Sequence, residues 1–266
     1  MKISRELLSI VAALALFSSA PAVAITDGEL DGDAHPAVGL LIFDFNGVPA
    51  WRCSGTLISP TVMLTAGHCT DGASSGRVWF DATEAEILAK GYPFAGGGAI
   101  EFAAIETHPD YPFAPFFVND AGIVILSEPV YLDDPEDYGV LPEVDELDQL
   151  KTKRGKQNQM FTAVGYGLQQ INPVFIEAER SRMVAYPHLI QINVPGFTGD
   201  FSLLLSNNHS TGGTCFGDSG GPNFIGTSNV IGGVTSFGIN GNCAGTGGVF
   251  RVDRQNVLDF INTYLQ

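Results

Sequence analysis

The sequence predicts an all-β protein, either a barrel or a sandwich, with one α-helix near the end of the chain. The chain has 266 residues, and its 32 glycines and 15 prolines provide many turns. Short runs of β-branched and aromatic residues lie between these turns, which is the pattern of an antiparallel β protein. A parallel α/β sheet would need helical patterns between its strands, and the chain has few. The hydrophobic fraction of 45% is enough for a sizeable core.

The predicted strands are short apolar runs at residues 38–43, 55–59, 61–65, 123–126, 161–167 and 230–237. Pro60 separates the second run from the third and predicts a corner, because proline cannot donate to a sheet ladder. The one clear helical pattern runs from Val252 to Leu265, where apolar residues recur at three- and four-residue spacing. Asp253 is the predicted N-cap of this helix.

A change in composition between Glu128 and Gln159 predicts an exposed connector between two β units. Acidic residues crowd between positions 133 and 148, and basic residues follow between 151 and 156. A calcium site in the acidic part is the alternative, but the spacing of its carboxylates is irregular for such a site. We therefore favour a solvated connector.

The first 24 residues have the pattern of a secretory signal peptide. Lys2 and Arg5 precede an apolar run from Leu7 to Phe17, and residues 22–24 (AVA) form a small-x-small cleavage pattern. A cut after residue 22 is a second candidate. The apolar run is shorter than the roughly 20 residues that span a bilayer, and no later stretch is long enough. These features predict an exported, soluble protein without a membrane span.

The net charge of −16 argues against a nucleic-acid partner, because binding to phosphates needs clustered lysine and arginine. The acidity is better explained by a solvated surface.

Two motifs carry the residues of a nucleophilic site. In residues 217–222 (GDSGGP), Ser219 lies between glycines and directly after an acid. In residues 65–69 (TAGHC), His68 follows an apolar strand. A serine hydroxyl becomes a useful nucleophile only when a base takes its proton and hydrogen-bond donors hold the oxyanion. The first motif offers the nucleophile, and the second offers the base.

The order of residues excludes one explanation of the serine motif. Gly-x-Ser-x-Gly also fits the nucleophile elbow of α/β-hydrolases, in which the catalytic histidine follows the serine. Every histidine of this chain precedes Ser219: His35, His68, His108, His188 and His209.

The remaining order is histidine, acid, serine, and the acid should be buried, since its task is to hold the imidazole tautomer. Asp120 is the candidate because it leads into the apolar run 121–126. Asp110, between two prolines, is the rival.

The four cysteines, Cys53, Cys69, Cys215 and Cys243, predict two disulfides, because an even number in an exported chain is typical of a disulfide framework. Three pairings are possible. We favour the local pairing of the first with the second and the third with the fourth, in which each bond clamps a loop beside one motif. A zinc site is the alternative, and no Cys-x-x-Cys or His-x-x-x-His spacing supports it.

These motifs resemble those of trypsin/chymotrypsin-type serine proteases, and the likeness runs from about Ile25 to the C-terminal helix. The two motifs are highly specific together, and Asn119-Asp120 with its apolar tail adds to them. Residues 236–238 (SFG) resemble the family's Ser-Trp-Gly strand, and the local cysteine pairs match two family disulfides.

The resemblance implies two six-stranded antiparallel β-barrels packed together, with a C-terminal α-helix. The implied organisation is an N-terminal barrel over 25–128, the acidic connector over 129–158, a C-terminal barrel over 159–252 and a helix over 253–266.

The resemblance also implies a role for each site residue. His68 would be the general base, Asp120 would orient it, and Ser219 would attack the scissile carbonyl, with the amides of Gly217 and Ser219 as the oxyanion hole. The expected partners are protein or peptide substrates, with a protein inhibitor as a further candidate, for a secreted monomer with no cofactor and no metal.

The start of the mature chain resembles the family's Ile-Val-Gly-Gly terminus. By this resemblance, cleavage after Ala24 would give Ile25 a free amine, which would pair with Asp218. Because no propeptide would then intervene, we expect no long-lived zymogen.

The predicted specificity pocket has small residues as its walls and carries no charge. By the same resemblance Gly213 lies at its base beside Thr214, Gly238 and Gly248 form its walls, and Phe216 lies at its rim. Ser236, Phe237 and Gly238 would run alongside the substrate, with the backbone of the first and last pairing to it as an extra strand. Without an acid at the base or a histidine on this strand, we expect a preference for medium or large apolar side chains.

A catalytically inactive binding protein on the same fold is the alternative, because fold alone does not determine function. The chain retains every residue of the implied triad and the oxyanion glycine, which favours the protease.

Overall fold

The computed structural model describes residues 25–150, 158–172 and 175–265. The predicted signal peptide and the basic end of the predicted connector lie outside the described residues. Within the described ranges, no helix has both the length and the apolar character needed to cross a membrane.

The strands, in chain order, are β1 Glu29–Leu30, β2 Val38–Phe45, β3 Val48–Leu57, β4 Val62–Thr65, β5 Ser75–Trp79, β6 Ile100–Thr107, β7 Gly122–Leu126, β8 Phe161–Gly165, β9 Gln170–Asn172, β10 Phe175–Glu177, β11 Met183–Ala185, β12 Leu189–Val194, β13 Gly199–Asn207, β14 Pro222–Ile225, β15 Ile231–Gly238 and β16 Gly245–Arg251. The helices are α1 Gly67–Thr70, α2 Glu84–Ala89 and α3 Gln255–Asn262, and 3-10 turns cover Tyr111–Phe113, Pro135–Asp137 and Glu146–Leu150. The prediction of an all-β protein with a C-terminal helix is confirmed.

The first unit is a closed antiparallel barrel with the strand order β2-β3-β4-β7-β6-β5. Strand β2 is buried along almost its whole length, because one face lines the barrel and the other packs toward the second sheet. At one end of the barrel, Thr65 of β4 lies opposite Gly122 of β7. The chain segments just after β4 and just before β7 are thereby brought side by side.

The second unit is an eight-stranded sheet with the order β1-β11-β8-β14-β15-β16-β13-β12. Its strands pair antiparallel, and no pairing between β1 and β12 closes it among the described residues. Strand β1 joins this sheet although it precedes the first barrel, since Glu29 lies opposite Val184 of β11. The six strands that the resemblance predicted are β8-β14-β15-β16-β13-β12, and an antiparallel bridge between Met160 and His188 joins the first and last of them where β8 and β12 begin.

The described part of the acidic connector packs against the second sheet. Leu147 is fully buried, and its amide donates to Asp253. Arg251 Nη1 lies 3.0 Å from Asp148 Oδ1, and Arg254 Nη1 lies 2.5 Å from Asp145 Oδ1. These carboxylates therefore serve as counter-charges for arginines, which the irregular spacing of the acids did not reveal.

The predicted N-cap of the C-terminal helix is wrong. Helix α3 begins at Gln255 with Arg254 as its N-cap, and no side chain caps it. Asp253 is fully buried instead, and its carboxylate accepts hydrogen bonds from Arg251 Nε and Nη2 at 2.9 and 2.6 Å. The demand of a buried guanidinium for a partner outweighs the local capping preference.

The two units share one apolar core, in which residues of β2 meet residues of β8, β14 and β16. A buried polar junction crosses the same boundary. The Arg182 guanidinium donates to Asp31 Oδ2 at 2.9 Å, to the carbonyl of Gly32 at 2.6 Å and to the carbonyl of Phe80 at 2.9 Å. The Tyr166 hydroxyl donates to the carbonyl of Asp81 at 2.9 Å. One arginine of the second unit thus binds backbone from the N-terminal segment and from the barrel.

Candidate functional site

His68 and Asp120 meet at the end of the barrel. His68 lies in the short helix α1, which follows β4, and Asp120 lies immediately before β7. His68 Nδ1 is 2.9 Å from Asp120 Oδ2 and 3.1 Å from Oδ1, and the His68 amide donates to Oδ1 at 2.8 Å. Asp120 is fully buried, whereas the His68 side chain is 27% exposed. The carboxylate therefore fixes both the position and the ring orientation of the imidazole, and the opposite ring nitrogen is left for chemistry.

A residue of the second sheet completes the surroundings of this carboxylate. The hydroxyl of Ser236, on β15, donates to Asp120 Oδ2 at 2.5 Å. The rival acid, Asp110, lies at the N-cap of the 3-10 turn 111–113, where its amide approaches His108 Nδ1. The geometry therefore joins Asp120, and not Asp110, to His68.

Ser219 lies in a loop that the barrel and the second sheet hold together. The amide of Ser54, on β3, donates to the carbonyl of Ser219 at 2.8 Å, and the Ser54 hydroxyl donates to the carbonyl of Gly217 at 3.0 Å. Gly217 has a φ of +98°, which a residue with a side chain rarely adopts. Its Cα also lies against the Arg52 guanidinium, so a Cβ at this position would lie 2.9 Å from Arg52 Nε. The backbone conformation therefore requires glycine, and a side chain here would also have to displace the end of Arg52.

The loop presents two amides without partners. Among the hydrogen bonds of the described residues, none uses the N–H of Gly217 or of Ser219 as its donor. Unpaired amides beside a nucleophile are suited to an oxyanion that forms during a reaction.

Ser219 and His68 line the same cavity, which has a volume of about 440 Å³. No hydrogen bond joins their side chains within the described ranges. Such bonds are commonly long or misaligned without substrate and tighten when it binds.

Five of the seven residues predicted to contact substrate line this cavity, namely Thr214, Phe216, Ser236, Phe237 and Gly238. The other two, Gly213 and Gly248, are not among its lining residues. A Cβ on Gly213 would collide with Asn207, and a Cβ on Gly248 would lie 2.3 Å from the Phe237 ring. Asn207 therefore covers Gly213, and the Phe237 ring covers Gly248, so neither glycine is itself a wall of the cavity. The sequence gives no sign of either contact.

An aromatic cluster at the mouth of the cavity was also not predicted from the sequence. The ring of Phe237 lies 6.3 Å from Phe116, 5.9 Å from Phe117 and 5.7 Å from Phe197, measured between centroids. Phe116 and Phe197 are more than half exposed. In the sequence Phe116 and Phe117 form only an apolar pair before Asp120. Their contacts with Phe237 of β15 depend on tertiary packing.

Asp218, next to the nucleophile, is fully buried. Its carboxylate accepts hydrogen bonds from the amides of Gly167 at 2.7 Å and Cys215 at 2.8 Å. Burial raises the pKa of Asp218 to about 7, while these two amides and the nearby Arg52 guanidinium oppose that rise.

Ile25, the predicted partner of Asp218, is also fully buried, and the residue after it forms a β-bridge with Gly213. The N-terminal segment is therefore docked beside the cavity loop. No hydrogen bond joins Ile25 to Asp218 in the described chain, in which the Ile25 nitrogen belongs to a peptide bond.

Two disulfides flank the site with the predicted local pairing, Cys53–Cys69 and Cys215–Cys243. The first lies directly beside His68, and both cysteines of the second line the cavity. Bonded cysteines are not thiolates, so the grouping of Cys53 and Cys69 near His68 is not a zinc site.

Comparisons with known proteins agree on one family. The family model described as Trypsin matches residues 34–261. Chymotrypsin-C of Bos taurus is 28% identical over 202 residues, which cover 73% of this chain and 70% of that protein. Inactive CLIP domain-containing serine protease A28 of Anopheles gambiae is 27% identical over 210 residues, covering 74% of this chain and 52% of that protein.

The solved structure of HL collagenase superimposes with a TM-score of 0.70 and 23% sequence identity, covering 91% of this chain and 98% of that one. At this level of identity the likeness concerns the fold.

Proposed function

This chain belongs to the trypsin family and is a serine endopeptidase, and we propose that Ser219 is its nucleophile, His68 its general base and Asp120 the residue that orients the base. The observation that carries the assignment is the buried Asp120 carboxylate, which holds His68 through both the ring Nδ1 and the backbone amide. Protein or peptide chains are the substrates.

The proposed reaction follows from these positions. His68 Nε2 takes the proton of the Ser219 hydroxyl as its oxygen attacks the carbonyl carbon of the scissile peptide bond. The oxyanion that forms accepts hydrogen bonds from the amides of Gly217 and Ser219. His68 then gives its proton to the leaving amine, and water, activated by the same imidazole, hydrolyses the acyl-enzyme. Removing one oxyanion donor typically costs about 100- to 1000-fold in kcat.

The test is labelling with a serine-directed organophosphonate probe, detected by intact mass. We expect one adduct per chain in the wild type, none in Ser219→Ala, and normal labelling in Ser127→Ala, which alters an exposed serine at the end of β7. Labelling that persists in Ser219→Ala contradicts the assignment. Absent labelling in a wild-type protein that folds and binds denatured peptide chains supports the inactive binding protein instead.

The mature N-terminus is a second part of the proposal. Cleavage after Ala24 during secretion frees the Ile25 amine, which pairs with Asp218 and stabilises the loop 215–219. The burial of both residues and the docking of the following residue on Gly213 support this pairing. N-terminal sequencing of active secreted protein should begin at Ile25. Full activity in a protein that begins at Val23 or earlier contradicts it.

A further inference from the structure

His108 is a buried histidine next to the segment that carries Asp120, and the triad does not use its ring. It follows β6 directly and is 2% exposed. Its amide donates to the carbonyl of Ala121 at 2.9 Å. Its ring packs against Phe260 of α3, with 5.1 Å between the ring centroids. His108 therefore joins the segment around Asp120 to the C-terminal helix.

Both ring nitrogens of His108 have hydrogen-bond partners that suit a neutral ring. Nδ1 accepts from the amide of Asp110 at 3.2 Å. The ring also donates to the carbonyl of Asn256, in the first turn of α3. Because Nδ1 is an acceptor, the donating nitrogen is Nε2. The neutral Nε2–H tautomer satisfies both partners, whereas an imidazolium would direct an Nδ1–H against the Asp110 N–H.

Asn256 extends this arrangement to the residue before Asp120. Its Nδ2 donates to Asn119 Oδ1 at 3.1 Å. Asn119 has a φ of +57°, which is uncommon for a residue other than glycine. Its carbonyl accepts from the amide of Ala121 at 2.8 Å, which closes a three-residue turn. Asp120 is the central residue of this turn. Asn256 binds the first residue of the turn, and His108 binds the last.

We propose that His108 is a positioning residue for the triad: its neutral ring, together with Asn256, fixes the turn that carries the Asp120 carboxylate, and protonation of the ring releases that turn. The inference rests on the proposed function, because it concerns the acid that orients the general base. It adds a second group whose protonation lowers activity, apart from the base itself.

The surroundings of His108 favour the neutral ring. Burial has the largest effect and lowers the pKa of His108 below its usual value. Asp110 is the charged group that faces the ring, and its carboxylate opposes this shift only weakly because it is exposed and screened. The carboxylates on the elements packed around His108 have other partners: Asp120 has His68, Asp259 of α3 has Gln255, and Glu106 of β6 has Tyr264.

A loss of stability in acid follows from this shift. The unfolded chain takes up a proton on His108 near its ordinary pKa of 6.5, whereas the folded protein takes it up only at lower pH. Below pH 6.5 the unfolded state therefore binds more protons, so stability falls as the pH falls. Folded protein that does take up the proton loses the hydrogen bond from the Asp110 amide.

The first experiment needs no catalysis and uses NMR of Ser219→Ala protein with labelled histidine. At neutral pH the His108 ring, assigned by its absence in His108→Asn, should be the Nε2–H tautomer. The proton that His68 Nδ1 donates to Asp120 is followed in the same titration. Its signal should shift when His108 takes up a proton, and this step should be absent in His108→Asn. A proton on His108 Nδ1 at neutral pH, or a titration without that shift, overturns the proposal.

The second experiment measures kcat and KM in His108→Asn at a pH where histidines are neutral. The new carboxamide oxygen can still accept from the Asp110 amide, as asparagine does in many turns, but it is too short to reach Asn256. We expect kcat per titrated site to fall about 10- to 100-fold, with KM within about 2-fold, because slight misplacement of a catalytic group has an effect of this size.

Two further variants show whether the effect passes through the orienting acid. In the Asp120→Asn background, His108→Asn should lower kcat no further, because the carboxylate that it positions is already gone. The matched control is His188→Asn, which alters a buried histidine of the second unit and should leave kcat unchanged.

The pH profile gives an independent readout of the same proton. In the wild type, log kcat/KM should fall in acid with a slope of about one while the general base is protonated, and with a slope of about two once His108 is protonated as well. In His108→Asn the slope should stay at about one.

The outcomes separate this proposal from the proposed function. Unchanged kcat per titrated site in His108→Asn overturns the role of His108 and leaves Ser219 in place, even if thermal stability falls. The same fold loss in the Asp120→Asn background also overturns it. Failure of Ser219 to react with the phosphonate overturns the proposed function, whereas the NMR titration still decides whether His108 positions Asp120.

Discussion

The barrel and the second sheet bury different kinds of residue. The barrel strands bury mainly aliphatic and aromatic side chains, with Arg77 paired to Asp44 across neighbouring strands. The second unit buries Arg182, Arg251, Asp253 and Asp218 almost completely, in addition to uncharged polar groups. The difference matches the parts of the site that each unit provides. The barrel brings His68 and Asp120 together through the pairing of β4 with β7, while the second unit anchors the nucleophile loop through the buried Asp218 carboxylate and the amides that donate to it.

This division predicts where each kind of perturbation acts. Changes to the base and its orienting acid should affect rate more than stability. Changes to buried charge in the second unit should affect stability and pH dependence first.

The largest expected effect is on rate, at the barrel side of the site. In Asp120→Asn the amide favours the wrong imidazole tautomer, and a triad with this change typically loses about 10⁴-fold in kcat. We expect the fold to survive, because asparagine has nearly the shape of aspartate and still lies against the His68 amide and the Ser236 hydroxyl. Steady-state kinetics with active-site titration measures the loss, and thermal unfolding controls for stability. A loss under about 10-fold would contradict the role of Asp120.

The second effect is on stability, in the second unit. Arg251→Met leaves Asp253 as a buried carboxylate without its partner, and breaking such a pair typically costs 3–5 kcal/mol. Urea unfolding measures this. The double change Arg251→Met with Asp253→Leu removes both charges and should recover most of the loss. If the double variant is no more stable than the single one, the uncompensated charge is not the cause.

The third effect is a pH dependence of the unfolding free energy, caused by Asp218. It applies to protein that has not been cleaved after Ala24, in which the Ile25 nitrogen belongs to a peptide bond. Burial raises the pKa of Asp218 from 3.8 in the unfolded chain to about 7. Between these values the folded protein keeps a proton that the unfolded chain releases, so stability should fall as pH rises, by at most about 1.4 kcal/mol per pH unit.

Asp218→Asn should remove this slope, and urea unfolding across the interval measures the difference between the two proteins. In mature protein with a free Ile25 amine, the pairing should lower the pKa of Asp218 and weaken the slope. An unchanged slope in Asp218→Asn would assign it to another group.

The smallest effect is on the surface of the barrel. Thr83 and Glu86 form a reciprocal capping box at the start of α2. Thr83→Ala should cost about 1 kcal/mol of unfolding free energy and leave kcat/KM unchanged. Thermal unfolding and steady-state kinetics measure the two quantities. A change in kinetics would show that the barrel transmits surface changes to His68, against the division described above.

The sequence predicted the parts of the molecule that depend on local pattern. The strands at 38–43 and 123–126, the local pairing of the cysteines, and the order of histidine, acid and serine all follow from short-range signals. Residues whose role depends on a distant neighbour were misjudged or missed. Asp253 fits a local capping rule, yet Arg251 and the connector determine its contacts. Asn207 contacts Gly213 only because a turn brings the two residues together, and Arg52 contacts Gly217 only because β3 packs against the serine loop.

The Arg182 junction has a consequence for the lifetime of the molecule. Its guanidinium binds the N-terminal segment, the barrel and the second unit at once, so separating any one of them strips hydrogen bonds from a buried cation. Partial opening is therefore disfavoured relative to complete unfolding. A peptidase cleaves chains that are locally extended, and other copies of itself are among the chains it meets. A fold that seldom exposes an extended segment gives such an enzyme protection against autolysis.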